Sequence, residues 1–281
     1  MTRNIDGGVA PATHQQVRTD DGARIAVTVA GRQPAAPART VVLAHGWGAA
    51  RSVWDAVVPR LTEQGHRVVL YDQRGHGVST LGRDGVSIDR LRDDLAAVLD
   101  HVEARDAVLV GHSGGGYAAL AYVAGDPVLA ARRLSRLVLI STATHEQDTP
   151  SGELRMMGSA VFSWALRRPA LGRKLLGQMV GPDTGRRIAE INRRMFAATP
   201  ASVRRDFFGV SCGMDLRPGL DAVTVPAAVL AGSADRIIAP SYAAQLAALL
   251  PAGVLEEIPG AGHMLPLERP EHIVRAVTGM G

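Results

Sequence analysis

A serine hydroxyl becomes a nucleophile only when a base can take its proton, and one serine of this 281-residue chain stands in a context suited to that. Val108-Leu109-Val110-Gly111-His112-Ser113-Gly114-Gly115-Gly116 is an apolar strand running through G-x-S-x-G into an alanine-rich helix. A turn of this kind holds the serine in a strained backbone that projects its hydroxyl, and small neighbours let strand and helix approach closely. Gly111 and Gly115 supply that room. On its own, G-x-S-x-G reads equally as a glycine-rich turn with a solvated serine. The flanking strand and helix favour the nucleophile.

Nine histidines compete to be the base. His263 sits in Ile258-Pro259-Gly260-Ala261-Gly262-His263-Met264-Leu265-Pro266, a flexible loop after the last strand-like run, where an imidazole can swing over the end of a sheet. His14, His66, His101, His145 and His272 fall in polar or helix-surface contexts and read as solvated. His45 and His76 lie in loops at strand ends and read as loop anchors. His112 precedes the serine in so tight a turn that it should point elsewhere. An imidazole base needs a carboxylate to fix its tautomer and stabilise its cation. Asp235, in Leu230-Ala231-Gly232-Ser233-Ala234-Asp235-Arg236, emerges after the penultimate strand on the same edge; its plainer role is a turn or helix cap. Glu146 is the rival acid. Donors for a developing oxyanion are the backbone amide of Gly114 and that of Trp47, in His45-Gly46-Trp47-Gly48 after an early strand. Trp47 as a plain core residue is the alternative.

These residues need a frame. A hairpin is expected around Asp20-Asp21-Gly22, whose Asp-Gly pair tolerates a tight turn. Strand-like runs follow at Thr40 to Ala44, Val68 to Tyr71, Ala107 to Val110, Leu137 to Ile140, Ala227 to Leu230 and Val254 to Ile258. Most are continuously apolar, as central parallel strands covered on both faces must be. Helix patterns alternate with them at Ser52 to Leu61, Ile88 to Val102, Gly115 to Ala124 and Pro240 to Leu250. The alternation predicts an α/β fold with a doubly wound, mostly parallel sheet. Residues 145–215 break it with helix-like pieces only: Glu153 to Leu166, Pro169 to Val180, Thr184 to Ala198 and Ser202 to Phe208. The expected organisation is a core of 1–144 and 216–281 with a helical cap at 145–215. Gly31 to Arg39, rich in Pro and Ala, reads as a loop.

Charge marks the same boundary. The chain has 31 Lys+Arg against 27 Asp+Glu, and Lys174 is its one lysine. His145 to Asp215 holds eleven of the cations and seven of the acids, so the whole excess of +4 lies there and the remainder balances at twenty against twenty. An excess this small, with no basic-aromatic stripe, argues against nucleic acid as a partner. The single cysteine, Cys212, excludes intramolecular disulfides and cysteine-based zinc sites. The histidines lack metal-ligand spacing, so neither cofactor nor metal is expected. No apolar run reaches the roughly 18 residues of a membrane span, and Met1 to Gln16 lacks the apolar stretch of a signal peptide. A cytoplasmic location is the expectation. Oligomeric state leaves no mark.

Taken together, these motifs resemble the α/β-hydrolase fold superfamily over nearly the whole chain. The order Ser113, Asp235, His263 is the order that fold uses. Asp72-Gln73-Arg74-Gly75-His76-Gly77-Val78-Ser79 is similar to its D-x-R-G-x-G-x-S loop, and the helix start at Ser52 to Trp54 matches as well. The resemblance implies a catalytic triad, with the Trp47 and Gly114 amides as oxyanion hole. Family members with an aspartate at the nucleophile position form alkyl-enzyme esters; Ser113 implies acyl transfer instead. The expected activity is hydrolysis of a carboxylic ester carrying a small or medium apolar acyl group. Cofactor-free perhydrolysis of the haloperoxidase type, carbon-carbon, lactone or thioester hydrolysis, and a non-catalytic binding role are the alternatives. Gly114 replaces the Met, Leu or Gln common after the nucleophile, which implies a more flexible amide and a roomier pocket. In the cap, Met156, Met157, Val161, Phe162, Trp164 and Leu166 suggest one apolar helix face, for packing on the core or for an acyl pocket, followed by Arg167 and Arg168, solvated or meeting an anionic surface. That helix is short, so it implies at most weak contact with a membrane surface.

Overall fold

Eight strands pair into one sheet: β1 (Ala12–Arg18), β2 (Arg24–Ala30), β3 (Thr40–Ala44), β4 (Arg67–Tyr71), β5 (Ala107–His112), β6 (Leu134–Ile140), β7 (Ala227–Gly232) and β8 (Gly253–Ile258). The computed structural model describes residues 12–31, 39–146 and 152–279, so most of the 31–39 loop and of the N-terminal stretch 1–16 lies outside the described residues. The strand order is β1-β2-β4-β3-β5-β6-β7-β8. β2 runs antiparallel to both neighbours, and every other pair is parallel.

Continuous hydrophobicity follows from burial on both faces. Val42, Ala44, Val69, Leu109 and Leu139 enter one core, while Val41, Leu43, Val68, Val110 and Ile140 alternate into the other. α1 (Val58–Glu63), α2 (Ile88–His101), α3 (Gly114–Gly125) and α4 (Pro127–Arg133) connect the first six strands. α5 (Glu153–Met157), α6 (Ala160–Arg167), α7 (Pro169–Leu175), α8 (Arg186–Ala198) and α9 (Ala201–Ser211) lie between β6 and β7. α10 (Pro240–Leu249), α11 (Leu265–Glu268) and α12 (Pro270–Thr278) complete the chain. Leu91, Leu95 and Leu120 of α2 and α3 cover the first face; Leu61, Ile273 and Val277 of α1 and α12 cover the second.

Three helix expectations need correction. Ser52 to Leu61 splits into a 3-10 turn, Arg51–Trp54, and α1, because Pro59 has no amide to continue the ladder. Glu153 to Leu166 breaks at Gly158, and Ser159 starts α6 by accepting the Phe162 amide on its side chain. Pro169 to Val180 becomes α7 and a 3-10 turn, Gly177–Met179. α4 and α12 carry proline in the first turn, where its missing amide does no harm. Pro127 and Pro270 mark starts that the sequence reading passed over.

The five helices between β6 and β7 leave the core through a narrow neck. His145 and Asp215 form an antiparallel bridge there, and the Leu216 amide donates to Thr144 O at 2.6 Å. The arginines of these helices are not uniformly solvated. Glu190 gathers Arg173, Arg193 and Arg194 within 3.1 Å. Arg204 is 2% exposed, between the rings of Phe162 and Phe196, and donates to Met157 O, Phe196 O and Ser163 Oγ. Among the described residues it has no carboxylate partner; carbonyls at the ends of α5 and α8 accept from it instead. Arg74, in the D-x-R-G-x-G-x-S loop, is also buried, and clamps Asp94 of α2 at 2.7 Å and Asp21 of the β1–β2 turn at 2.9 Å. That motif residue is a structural staple between three segments.

Candidate active site

The chain reverses its direction of travel across the sheet between β3 and β5, and in such sheets ligands bind beyond the strand carboxyl ends at that switch point. The loop after β3 carries Trp47, and Ser113 follows β5 directly. Ser113 has φ 51° and ψ −121°, a left-handed conformation that costs a non-glycine residue about 1–3 kcal/mol. Its amide donates to Ile140 O at 2.8 Å, which ties the strained residue to the neighbouring strand. Gly115 is required by contact: a Cβ there would stand 2.3 Å from Ala44 O.

The structure brings Ser113, His263 and Asp235 together. His263 Nε2 lies 3.0 Å from Ser113 Oγ, and His263 Nδ1 lies 2.9 Å from Asp235 Oδ2. Asp235 Oδ1 accepts the amides of Ile237 at 2.8 Å and Ile238 at 3.0 Å, so the turn after β7 sets the carboxylate's orientation. Burial alone would raise its pKa, but the His263 contact and the Ile238 and Ile237 amides outweigh burial and hold it below the usual carboxylate value. Glu146, the rival acid, is spent elsewhere: its Oε2 accepts the Gly213 amide at 2.7 Å at the neck of the insertion.

Two residues that hold His263 were not anticipated. His112 does not point away from the site; its Nε2 donates to His263 O at 2.9 Å, and burial depresses its pKa to about 3, so it is neutral. Glu268 is buried and accepts from Gly181 N at 2.8 Å, Thr184 Oγ1 at 2.7 Å, Gly262 N at 3.1 Å and Met264 N at 3.2 Å. It therefore binds the loop on both sides of His263 to the helical insertion. The only hint in the sequence is an acid amid Leu265, Pro266 and Leu267, where an unpaired carboxylate would be costly. The insertion also reaches this loop through Met179 O, which accepts the His263 amide at 3.1 Å.

His45 and His76 anchor the early loops, as their positions suggested. His45 Nε2 accepts the Gln73 amide and His76 Nε2 the Gly48 amide, each at 3.0 Å. Of the five histidines expected to be solvated, His14 and His101 are exposed, each with one side-chain contact, to Thr28 and Gln15, whereas His66, His145 and His272 are half-buried, with His145 against Thr144 and His272 against Glu256.

The expectation for Gly114 is reversed. A Cβ at Gly114 would stand 2.1 Å from Trp47 Nε1 and 2.4 Å from its Cδ1, so the indole of Trp47 already fills the space a larger residue would take. The pocket is not roomier on that side. Trp47 is wedged there edge-on to Tyr117 and Phe207, at 5.2 and 5.6 Å between ring centres. Trp47 is thus both a packed aromatic and the owner of a loop amide, and the two readings offered by the sequence are compatible.

Above Ser113 and His263 opens a cavity of about 380 Å³ with an apolar wall that includes Met157, Phe162, Met179, Phe196 and Ile238. Its cation is Arg236, next to Asp235, and no arginine of the insertion lines it. The apolar run of the insertion is divided: Met157, Phe162 and Leu166 are buried, while Met156, Val161 and Trp164 face solvent. Among the described residues no group of three His, Cys, Asp or Glu side chains is placed to hold a metal, and no helix is long and apolar enough to cross a membrane. An activated hydroxyl, an oriented imidazole and a mostly apolar chamber beside them can carry out acyl transfer.

Residues 41–277 match the model of the alpha/beta hydrolase family. A non-heme chloroperoxidase from Burkholderia pyrrocinia is 30% identical over 80% of this chain and 85% of its own length. A bifunctional esterase/perhydrolase from Acinetobacter calcoaceticus is 39% identical over 38% of this chain and 40% of its own. Among solved structures, an esterase from Exiguobacterium antarcticum superposes with a TM-score of 0.81 at 20% identity, covering 95% of this chain and 98% of the other. That last likeness speaks for the fold.

Proposed function

The chain belongs to the alpha/beta hydrolase family, and on that premise we propose that it is a serine hydrolase of carboxylic esters with a small or medium apolar acyl group. The observation that carries this reading is the unbroken contact from Asp235 through His263 to Ser113, opening on an apolar chamber. Ser113 Oγ attacks the ester carbonyl while His263 Nε2 takes its proton. The resulting imidazolium is stabilised by Asp235, and the amides of Trp47 and Gly114 stabilise the negative oxygen. Collapse expels the alcohol, which leaves with the proton from His263, and an acyl group stays on Ser113. Water then attacks, again deprotonated by His263, and releases the acid and free Ser113.

The test is turnover of p-nitrophenyl esters across acyl lengths. Short and medium chains should be hydrolysed, and kcat/KM should fall once the acyl group outgrows the chamber. Absence of turnover at every length would defeat the ester assignment. The names of the chloroperoxidase and esterase/perhydrolase relatives favour a second reading, in which hydrogen peroxide replaces water at the acyl-enzyme and leaves as a peracid. Adding peroxide to the ester assay and measuring the peracid separates the two.

Asp235→Asn tests the orienting role. The Ile237 and Ile238 amides can still bind the side-chain oxygen, so the fold should persist while the wrong His263 tautomer is favoured. We expect kcat to fall by about 10⁴ with the circular dichroism unchanged. Near-normal turnover would remove Asp235 from the mechanism.

A further inference from the structure

The helices that supply Met157, Phe162 and Leu175 to the cavity wall, α5, α6 and α7, also carry apolar side chains that no part of the described chain covers. Val161 and Trp164, one turn apart on α6, are 76% and 54% exposed. Leu171 and Leu175, one turn apart on α7, are exposed too, as is Met156 on α5. Met156 and Leu175 also line the cavity, so this surface runs into the site without a polar break at those two residues. Isolated exposed hydrophobics are ordinary, but a cluster at a site's entrance is informative.

The charge carried along the α5–α7 stretch itself is one-sided. From Leu154 to Pro182 the sequence holds five cations, Arg155, Arg167, Arg168, Arg173 and Lys174, and no carboxylate. Arg173 is neutralised by Glu190. Arg155, Arg167 and Lys174 make no ion pair among the described residues, and Arg168 lays its guanidinium 4.9 Å from the centre of the Trp164 ring. A tryptophan and aliphatic side chains surrounded by cations with long apolar stems have the chemistry of a surface that meets anionic headgroups and the acyl boundary beneath them. A second copy placed here by two-fold symmetry would set the same cations against one another. An anionic lipid surface meets no such repulsion.

We propose that the outer face of α6 and α7 docks this protein on an anionic lipid–water interface, so that esters enter the cavity from the lipid side. The delivery of esters rests on the serine hydrolase reading; the docking does not. The sequence suggested one short helix and at most weak contact. The folded chain offers two helices and the cavity mouth together.

Sedimentation of the full chain with phosphatidylcholine vesicles, with and without phosphatidylglycerol, tests docking without reference to turnover. Binding should be at least about ten-fold tighter with phosphatidylglycerol and should weaken as salt rises. Trp164 should report it by a blue shift in emission, since Trp54 is buried and Trp47 is packed in the interior. The double variant Val161→Ser/Trp164→Ser should lose about ten-fold in vesicle binding. It should hydrolyse dissolved p-nitrophenyl acetate like the parent, because neither residue lines the cavity. Equal binding to both vesicle types, no binding to either, or binding unchanged in the double variant would overturn the proposal. A concentration-dependent dimer abolished by the same substitutions would overturn it too, by giving the face to a second copy. Vesicle binding without ester turnover would leave docking standing and defeat the hydrolase reading; turnover without binding would do the reverse.

Discussion

Ser113→Ala should abolish labelling by a fluorophosphonate and lower ester turnover by about 10⁶. The size of the loss follows from the relay. With no hydroxyl at 113, His263 has no proton to take, no acyl-enzyme can form, and the loop amides can only assist direct attack by water. The fold should be indifferent. The Ser113 side chain makes no cap to α3, and among the described residues its hydroxyl bonds His263 alone, while the strained φ of 51° is held by the Ile140 bond and the close approach of Gly115 to β3. Unchanged thermal unfolding in the variant therefore separates loss of the nucleophile from loss of structure. His263→Ala should cost nearly as much, and the double variant little more, because residues acting as one unit are not additive. Labelling that persists in Ser113→Ala would place the nucleophile elsewhere.

The relay was legible in the sequence because a parallel sheet does the geometric work. Ser113, Asp235 and His263 each follow an apolar run, and parallel strands deliver all such followers to one edge. A separation of 150 residues becomes 3.0 Å. What the sequence hid were contacts decided by side-chain packing across that edge. The glycine at 114 announced free space, yet the indole of Trp47 occupies it, and only the path of the β3 loop reveals that. No motif singles out Glu268; its four donors come from segments up to 87 residues away. Arg204 looked like the other cap cations, and is buried among helix-end carbonyls. Charge counts could locate the insertion's excess, but not which of its cations are consumed inside. The answer bears on the surface: the consumed cations hold helices of the insertion together, and Arg155, Arg167 and Lys174 are left without an ion pair among the described residues.

Acid should begin to destabilise this protein near pH 6, before its carboxylates titrate. His45, His76 and His112 are 0–1% exposed. Burial lowers their pKa values from the ordinary 6.5 to about 4, about 3 and about 3, and for His76 and His112 the neighbouring His45 and His263 add to the effect. Geometry requires the neutral form in two of them, since His45 Nε2 and His76 Nε2 accept backbone amides and lose that capacity once protonated. The unfolded chain meets no such restriction and takes up all three protons as pH falls below about 6.5. Between roughly pH 6 and 4 it thus binds three protons more than the folded chain. Stability then declines by about 4 kcal/mol for each pH unit, at 1.36 kcal/mol per proton. Two units remove about 8 kcal/mol, which is comparable to the whole stability of an ordinary domain, about 5–15 kcal/mol. Thermal unfolding followed by circular dichroism should show a Tm that is flat above about pH 7, falls steeply below about pH 6, and reaches room temperature near pH 4–5. A Tm that held level from pH 7 to 5 would mean that these histidines do not stay neutral in the folded state. The decline has a functional side, because His76 holds the Gly48 amide next to Trp47 and His112 holds the His263 carbonyl. Protonation of His76 would release the Gly48 amide and loosen the loop that carries Trp47, so activity lost in this range should return on neutralisation together with the native circular dichroism.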